Sequence, residues 1–259
     1  MQCVKRVKQI FLAGWLALAI VAIVAVSAQP GRSVTSAVPT IVQRAADAHA
    51  ADMQGVVGMQ RHFSTEIKGG PIHHSEQSDS AQLLIDGSSA RIRYYGIVDD
   101  GHALSADQLA KREQQANQQW TEGKVFFKEP YDARYLSDYV FVQQPGCPCS
   151  DGLVAVDFSS PIRDNQHGQG TMWIDPATAR VQRLTYVPNA LPPHATSGSV
   201  TEVSSEPLPH LWYVTRIEQH YGGHAFLFKG EGSFLGVFDH FRRFSNTNDG
   251  EVALQNNSL

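Results

Sequence analysis

The sequence predicts an α+β fold that is mostly β: a curved antiparallel sheet, forming an incomplete barrel, with two or three covering helices. Two observations predict it. From Tyr139 onward, short runs rich in β-branched and aromatic residues are separated by turn signals such as Pro145-Gly146, Asp151-Gly152 and Gly222-Gly223, which is the pattern of consecutive antiparallel strands. No helical pattern alternates with these runs, which argues against a parallel α/β sheet.

The N-terminus has the pattern of a secretory signal peptide. Basic residues precede an uncharged apolar run from 10 to 26, and Val26-Ser27-Ala28 ends that run with small residues. We therefore expect residues 1–28 to be removed and the mature protein to be exported, to the periplasm or the extracellular space. The alternative is an uncleaved anchor formed by residues 10–26, since this run is close to the roughly 17–25 residues that span a bilayer.

The remaining chain divides into a short linker and a domain. Residues 29–37 are a polar linker, residues 38–246 are expected to form a single domain, and residues 247–259 read as a polar tail. Cleavage after residue 28 leaves 231 of the 259 residues, which fits one large β-rich domain or two small ones. We expect one.

The net charge of the mature chain limits the classes of partner that it is expected to bind. The segment 1–28 carries three basic residues and no acidic ones, so its loss takes the net charge from −4 to −7 with histidines neutral. Nucleic acid binds clustered Lys and Arg, and so does an anionic membrane surface. We therefore expect no nucleic-acid partner and no attachment to anionic lipid head groups.

Two helices and an early hairpin are predicted inside the domain. The stretch PTIVQRAADAHAADMQG predicts a helix that begins at Pro39 or Thr40 and ends before Gly55. The stretch SADQLAKREQQANQQWTEG predicts a second helix with Ser105 as its N-cap, and its polarity places it on the surface. Between them, Asp86-Gly87 separates two strand-like runs and predicts a hairpin.

The mature chain keeps one cysteine pair, Cys147 and Cys149 in QQPGCPCSDG. In an oxidising compartment an even pair predicts a disulfide. The closed loop is very small, so its stabilising effect through chain entropy is small. A reducible, redox-labile disulfide is the next alternative. A metal site ranks after it, because no second C-x-C or C-x-x-C supplies the remaining ligands of a closed zinc site.

No catalytic or metal-binding motif is recognisable. The chain has eleven histidines, but none stands in an H-E-x-x-H pattern, and there is no G-x-S-x-G elbow or glycine-rich phosphate loop. His73-His74 and the pair His220 and His224 are interpreted as solvent-facing or hydrogen-bonded histidines. We therefore expect a protein that is not an enzyme, with no cofactor and no metal site.

One hairpin carries a family resemblance. In GQGTMWIDPATARVQRLTY, residues 168–186, a strand ending in Trp-Ile-Asp leads through a tight turn into a returning strand with an arginine. This pattern resembles the lipoprotein-sorting (LolA-like) family, whose best-known member carries lipoproteins across the periplasm. The resemblance implies a strongly curved, incomplete barrel whose hollow holds acyl chains under covering helices. It also implies an early-strand arginine in contact with the lid, and Arg91 or Arg93 lies in the corresponding region.

The resulting hypothesis is an exported, non-enzymatic protein that binds an apolar ligand, an acyl chain or a lipoprotein, in the concave face of the sheet. The alternative is a structural or sensing module of the cell envelope that binds a protein partner and has no ligand cavity. A metal-dependent or redox enzyme that uses the two cysteines ranks third. The residues predicted to line the apolar cavity are Phe63, Leu84, Ile92, Tyr94, Trp173, Leu184, Trp212, Phe226, Phe228 and Phe238.

Overall fold

The computed structural model describes residues 38–69, 74–87, 89–122, 127–144, 152–192, 194–225 and 228–259. Within these ranges the chain forms one eleven-stranded antiparallel sheet, three α-helices and a short 3-10 helix at Leu136–Asp138. The sheet is not closed into a barrel. Its two edge strands are the two-residue strand His102–Ala103 and the strand Val140–Gln143. The predicted mostly-β, antiparallel fold class is confirmed.

Most of the strands follow one another along the chain with short connections, and the long connection from β4 to β5 contains a helix and the 3-10 helix. They are β1 Val56–Gly69, β2 His74–Asp86, β3 Ser89–Asp99, β4 His102–Ala103, β5 Val140–Gln143, β6 Val154–Ser159, β7 Gly168–Ile174, β8 Val181–Pro188, β9 Ala195–Leu208, β10 Leu211–Ala225 and β11 Phe228–Phe244. Their order in the sheet is β4-β3-β2-β1-β11-β10-β9-β8-β7-β6-β5. The pairing of β1 with β11 therefore joins the N-terminal and the C-terminal strands in the middle of the sheet.

The two predicted helices are present. Helix α1 spans Thr40–Asp52 and helix α2 spans Ala106–Thr121. Ser105 caps α2 through a capping box with Gln108, as the sequence predicts. No residue of α2 is buried, in agreement with its predicted surface position.

The C-terminal segment differs from the prediction. Residues 247–259 were expected to be a polar tail, but Thr247–Gln255 form a third helix, α3, with Asn246 accepting the capping bond from the Asp249 amide. Ala253, Leu254 and the final Leu259 are buried against the sheet. Three apolar contacts spaced along a mostly polar segment are sufficient to dock it, and the sequence pattern is too short to reveal that face.

The cross-strand register defines the two faces of the sheet. Directly paired residues point to the same side of a sheet, and the pairing runs from Phe63 to Gly236, Ile217, Glu202 and Leu184. We call the face that carries these five residues the inner face and the opposite one the outer face.

Helices cover the two ends of the inner face and one patch of the outer face. Helix α1 and the segment 127–139 cover β5 to β9, where Val156, Met172 and Leu184 are almost fully buried. Helix α2 packs beside β3 and closes a second core over β1 to β3. Helix α3 lies on the outer face of β1 and β2.

Helix α2 also protects the edge of the sheet. The Asn117 side chain accepts a hydrogen bond from the Ile92 amide at 2.9 Å and donates one to the Ile92 carbonyl at 3.0 Å. The Tyr94 amide donates to the Glu113 carboxylate at 3.2 Å. These contacts replace the neighbouring strand that β3 lacks along most of its length, because β4 pairs only with its end.

None of the described helices combines the length and the apolarity needed to cross a membrane. The proposed signal peptide or anchor, residues 1–28, lies outside the described residues.

Candidate functional site

The centre of the inner face carries a group of half-buried aromatic rings. Phe63 on β1 contacts Phe234 and Phe238 on β11, with edge-on ring centroids 4.7 and 5.7 Å apart. All three side chains are only partly buried, in contrast to the closed cores beneath the helices on either side. We call these three residues the aromatic strip. It lies in the middle of the sheet, between the part covered by α2 and the part covered by α1.

Gly236 makes room for the strip. It pairs with Phe63 across β1 and β11, and a Cβ atom at this position would lie 2.8 Å from the Phe63 ring and 3.3 Å from the Phe234 ring. The glycine therefore allows the Phe63 ring to lie down across β11. A larger residue would displace that ring.

Phe63 of the aromatic strip also belongs to an apolar rung across the sheet, and this rung has an acidic residue at each end. In order across the sheet the rung reads Asp79, Phe63, Gly236, Ile217 and Glu202. Neighbouring strands are about 4.8 Å apart, so Phe63 and Glu202 are separated by about 14 Å along the sheet. The inner face thus offers an apolar path of about the length of a ten-carbon chain between two polar boundaries.

At the first boundary, Asp79 is paired with an arginine that lies on β1, two residues before Phe63. Arg61 is 7% exposed, and its guanidinium lies 3.9 Å from the centre of the Phe63 ring. Its Nη2 donates to Asp79 Oδ1 at 2.7 Å and to the Tyr94 hydroxyl at 3.2 Å. Burial raises the pKa of the Asp79 carboxyl, and the charge of Arg61 opposes that rise.

Arg61 is incompletely satisfied. Its Nε is buried and has no hydrogen-bond partner among the described residues. A buried N–H without an acceptor costs free energy, on the order of 1–3 kcal/mol and more for a charged group. The sequence analysis missed this residue, although β1 alternation with Met59 and Phe63 places it on the inner face and could have identified it.

The second boundary is a cluster of acids and phenols beneath the segment 127–139. The Tyr186 hydroxyl donates to Glu202 Oε1 at 2.9 Å. Burial, then the nearby Glu129, raises the pKa of Glu202 to about 8. Burial likewise raises the pKa of Glu129 to about 7, with Asp132 adding to the rise and a hydrogen bond from Tyr131 opposing it. Glu202 therefore favours its protonated form at neutral pH more than Glu129 does.

Glu129 is the more accessible of the two acids. Its side chain is 26% exposed, whereas Glu202 is 7% exposed. Solvent therefore reaches Glu129, and burial raises its pKa less than it raises the pKa of Glu202. His49 Nε2 lies 3.5 Å from Glu129 Oε2, and burial lowers the pKa of this histidine.

The structure places the predicted cavity residues in different environments. Phe63 and Phe238 belong to the aromatic strip. Ile92, Tyr94 and Leu184 lie on the inner face beneath or beside the helices, with Ile92 and Leu184 at 1% exposure. Trp212 falls in an irregular part of β10 and donates from its indole to the Val181 carbonyl at 2.9 Å.

Two predicted cavity residues lie on the wrong face for that role. Leu84 is buried beneath α3 on the outer face. Trp173 also faces outward, where the guanidinium of its cross-strand partner Arg183 stacks at 3.9 Å from the ring centre. In both strands the inner positions are the neighbours, Leu83 and Met172, because side chains alternate along a strand.

The two arginines predicted to contact a lid both contact α3. Arg91 Nε lies 3.0 Å from Glu251 Oε1, and Arg93 donates to the carbonyls of Leu254, at 3.1 Å, and Gln255. Both arginines therefore bind a helix, as expected for a lid contact, but α3 covers the outer face of the sheet and not the inner one. The remaining predicted site residues, Cys147, Cys149, Phe226 and the side chain of Phe228, lie outside the described residues, so the disulfide stays a prediction.

One group of side chains has the geometry of a metal site. Among the described residues, Glu66, His74 and Glu76 each place one ligand atom within 4.8 Å of the others. Lys68 Nζ already pairs with Glu66 Oε2 at 2.8 Å, and the three side chains are largely exposed. The group lies at the far end of β1 and β2 and is accounted for by these surface ion pairs.

Comparisons with known proteins find distant structural neighbours. No protein-family model matches the sequence, and no curated protein matches it. A putative outer membrane lipoprotein-sorting protein domain from Vibrio parahaemolyticus is similar in structure, with 11% identity, 83% of this chain and 97% of that chain covered, and a TM-score of 0.45. A LolA superfamily protein from Nitrosomonas europaea follows, with 12% identity, 81% and 94% covered, and a TM-score of 0.41.

Two of these structural neighbours thus carry names from the lipoprotein-sorting family that the hairpin at 168–186 resembles. MucB is a further structural neighbour, with 11% identity, coverage of 77% of this chain and 91% of that one, and a TM-score of 0.26. At these identities the likenesses concern the fold alone.

Proposed function

We propose that this chain is an exported, non-enzymatic protein that binds an apolar ligand, an acyl chain or the acyl chains of a lipoprotein, on the inner face of its sheet. The aromatic strip carries the proposal. Phe63, Phe234 and Phe238 are only half-buried at the centre of the sheet, where an ordinary core would be closed. Apolar side chains that line a concave surface and are not covered by other parts of the protein are the default binding site for an apolar ligand.

The driving force is burial. Each methylene removed from water contributes about 0.8 kcal/mol, so a chain laid along the rung between Phe63 and Ile217 gains affinity without specific polar contacts. Acidic groups at the boundaries are already engaged, Asp79 by Arg61 and Glu202 by Tyr186. Along the rung itself, shape and apolar contact therefore hold the chain of the ligand.

The experiment is native mass spectrometry of mature protein from an exporting host, followed by solvent extraction and titration with a fluorescent fatty acid. We expect a co-purifying lipid or acylated peptide, or saturable uptake of the fluorescent fatty acid. A clean apo mass together with no uptake would overturn the proposal.

The second candidate is an envelope module that binds a protein partner. It is favoured by the edge strand β5, where Val140 and Val142 are 43% and 58% exposed. An uncovered edge with apolar side chains is able to pair with another chain. A partner that crosslinks to β5 while the inner face takes up no lipid would favour this candidate.

A further inference from the structure

Arg61 is a charged group on the inner face whose hydrogen-bonding capacity is only partly used. Arg61 is 7% exposed, and both of its recorded acceptors, Asp79 and the Tyr94 hydroxyl, are reached through Nη2. Its Nε is buried without a partner among the described residues. An arginine that serves only to pair with a carboxylate normally engages it with two parallel N–H groups. Here a single N–H makes that contact.

The geometry around Arg61 leaves a polar edge next to an apolar surface. The guanidinium stacks on the Phe63 ring at 3.9 Å, and that ring contacts Phe234 and Phe238. A ligand group bound at Arg61 therefore has the aromatic strip directly beside it. A planar or tetrahedral oxyanion accepts two hydrogen bonds from a guanidinium edge and matches its charge.

We propose that Arg61 binds the anionic head of the apolar ligand, a carboxylate or phosphate group, while the attached chain lies along the aromatic strip. This inference rests on the proposed function, since it assigns the head group of the same ligand. It selects anionic amphiphiles over neutral and cationic ones of equal chain length.

The competing group is Asp79, which an anion must displace or share. Its side chain is 18% exposed, and it pairs with Phe63 across β1 and β2, so it lies at the same end of the strip as Arg61. When the negative charge of Asp79 is removed, it no longer offsets the positive charge of Arg61, so Arg61 attracts an anionic ligand more strongly. Asp79→Asn is therefore expected to strengthen binding of an anionic amphiphile, in the direction opposite to loss of Arg61.

The experiment compares hexadecanoate, hexadecyl phosphate, hexadecanol and hexadecylamine, below their aggregation concentrations, by displacement of a fluorescent neutral lipid from the full mature chain. Charge-assisted hydrogen bonds contribute enough to make the two anions about ten- to a hundredfold tighter ligands than hexadecanol. Arg61→Met should remove that preference and leave hexadecanol affinity within about twofold. Asp79→Asn should increase the preference several-fold.

Control variants and probes separate the possible failures. Arg61→Met leaves Asp79 buried without its partner, so the double variant Arg61→Met/Asp79→Asn, with folding checked by circular dichroism, replaces it if it does not fold. Binding of hexadecanol without any preference for anions overturns the Arg61 assignment but keeps the proposed function. No binding of any of the four overturns both. Displacement of the anions by millimolar inorganic phosphate, with hexadecanol unaffected, confirms that the head group alone is recognised at Arg61.

Discussion

Arg180 holds Asp52 with two parallel hydrogen bonds, Nε to Oδ2 at 2.9 Å and Nη2 to Oδ1 at 2.7 Å. Asp52 is the last residue of α1 and is 3% exposed, and Arg180 belongs to the turn between β7 and β8. The ion pair therefore fixes the C-terminal end of α1 to the turn between β7 and β8. It also explains why an acidic residue is buried in α1 together with Val42, Ala45 and Ala46.

Loss of this pair should destabilise the fold. Asp52→Ala leaves Arg180 without its partner, but that side chain is 27% exposed and is able to rehydrate, so we expect a loss of about 2–3 kcal/mol in the free energy of unfolding. Urea denaturation measures it. Asp47→Ala, at an exposed position of the same helix, is the control and should change stability by less than about 0.5 kcal/mol. Equal effects of the two variants would contradict the prediction.

The aromatic strip should lose its ligand when Gly236 is enlarged. In Gly236→Val the new side chain displaces the Phe63 ring, 2.8 Å from the Cβ position, and removes apolar contact comparable to about two methylenes, so affinity for a fluorescent fatty acid should fall about tenfold. Gly96→Val is the matched control, because Gly96 lies in β3 with no atom within 4 Å of a Cβ at that position. Retained affinity in Gly236→Val would exclude the strip as the binding surface.

The buried acids should make stability fall as pH rises. The pKa values of Glu129 and Glu202 are raised from 4.5 to about 7 and about 8, respectively. Between pH 4.5 and these raised values, the folded chain binds more protons than the unfolded one. Stability is therefore highest on the acidic side of this window and decreases through it.

The variant Glu202→Gln tests this dependence, since it keeps an acceptor for Tyr186 and removes the charge. At pH 9 we expect it to be more stable than the original chain by about 1 kcal/mol or more, with little difference at pH 5. Thermal unfolding across pH 5–9 measures the effect, and Glu231→Gln at an exposed position of β11 is the control. Parallel curves for the original chain and Glu202→Gln would contradict the assignment.

The C-terminal helix should contribute to stability and not to ligand binding. Leu254 is 7% exposed and packs on the outer face with Leu84. Leu254→Ala should lower the free energy of unfolding by about 2–4 kcal/mol, whereas Val252→Ala, at a position 48% exposed on the same helix, should be nearly neutral. Fatty-acid affinity of the folded Leu254→Ala protein should be unchanged. A large loss of affinity would show that the two faces are coupled.

The contact between Asn117 and β3 should protect the sheet edge. Asn117→Ala removes both hydrogen bonds to the Ile92 backbone, and we expect a loss of about 1–3 kcal/mol together with faster aggregation, because an unpaired edge is a template for another strand. Light scattering at elevated temperature reports the aggregation. Gln115→Ala, an exposed residue of the same helix, should behave like the original chain.

The local elements of this fold could be predicted from the sequence. Turn residues such as Asp86-Gly87 mark the β2–β3 hairpin, Ser105 begins α2, and the run after Tyr139 reads as strands. Each of these features depends on residues close together in the chain, where backbone preferences and capping bonds act directly. The mostly-β class follows from their order.

Only the tertiary structure decided which side chains meet. Side chains alternate along a strand, so one position separates the inner from the outer face. Leu84 and Trp173 fall outward by that single step, while Arg61 falls inward and lies on Phe63.

The same holds for groups that lie far apart in the chain. Glu129 and Glu202 come from a loop and a strand, and Glu129 raises the pKa of Glu202 only because the fold brings the two together. The sequence by itself determined the local elements and the fold class, because those depend on neighbouring residues. The candidate site depends on strand register and on which face each helix covers, and these are set by packing across the whole sheet.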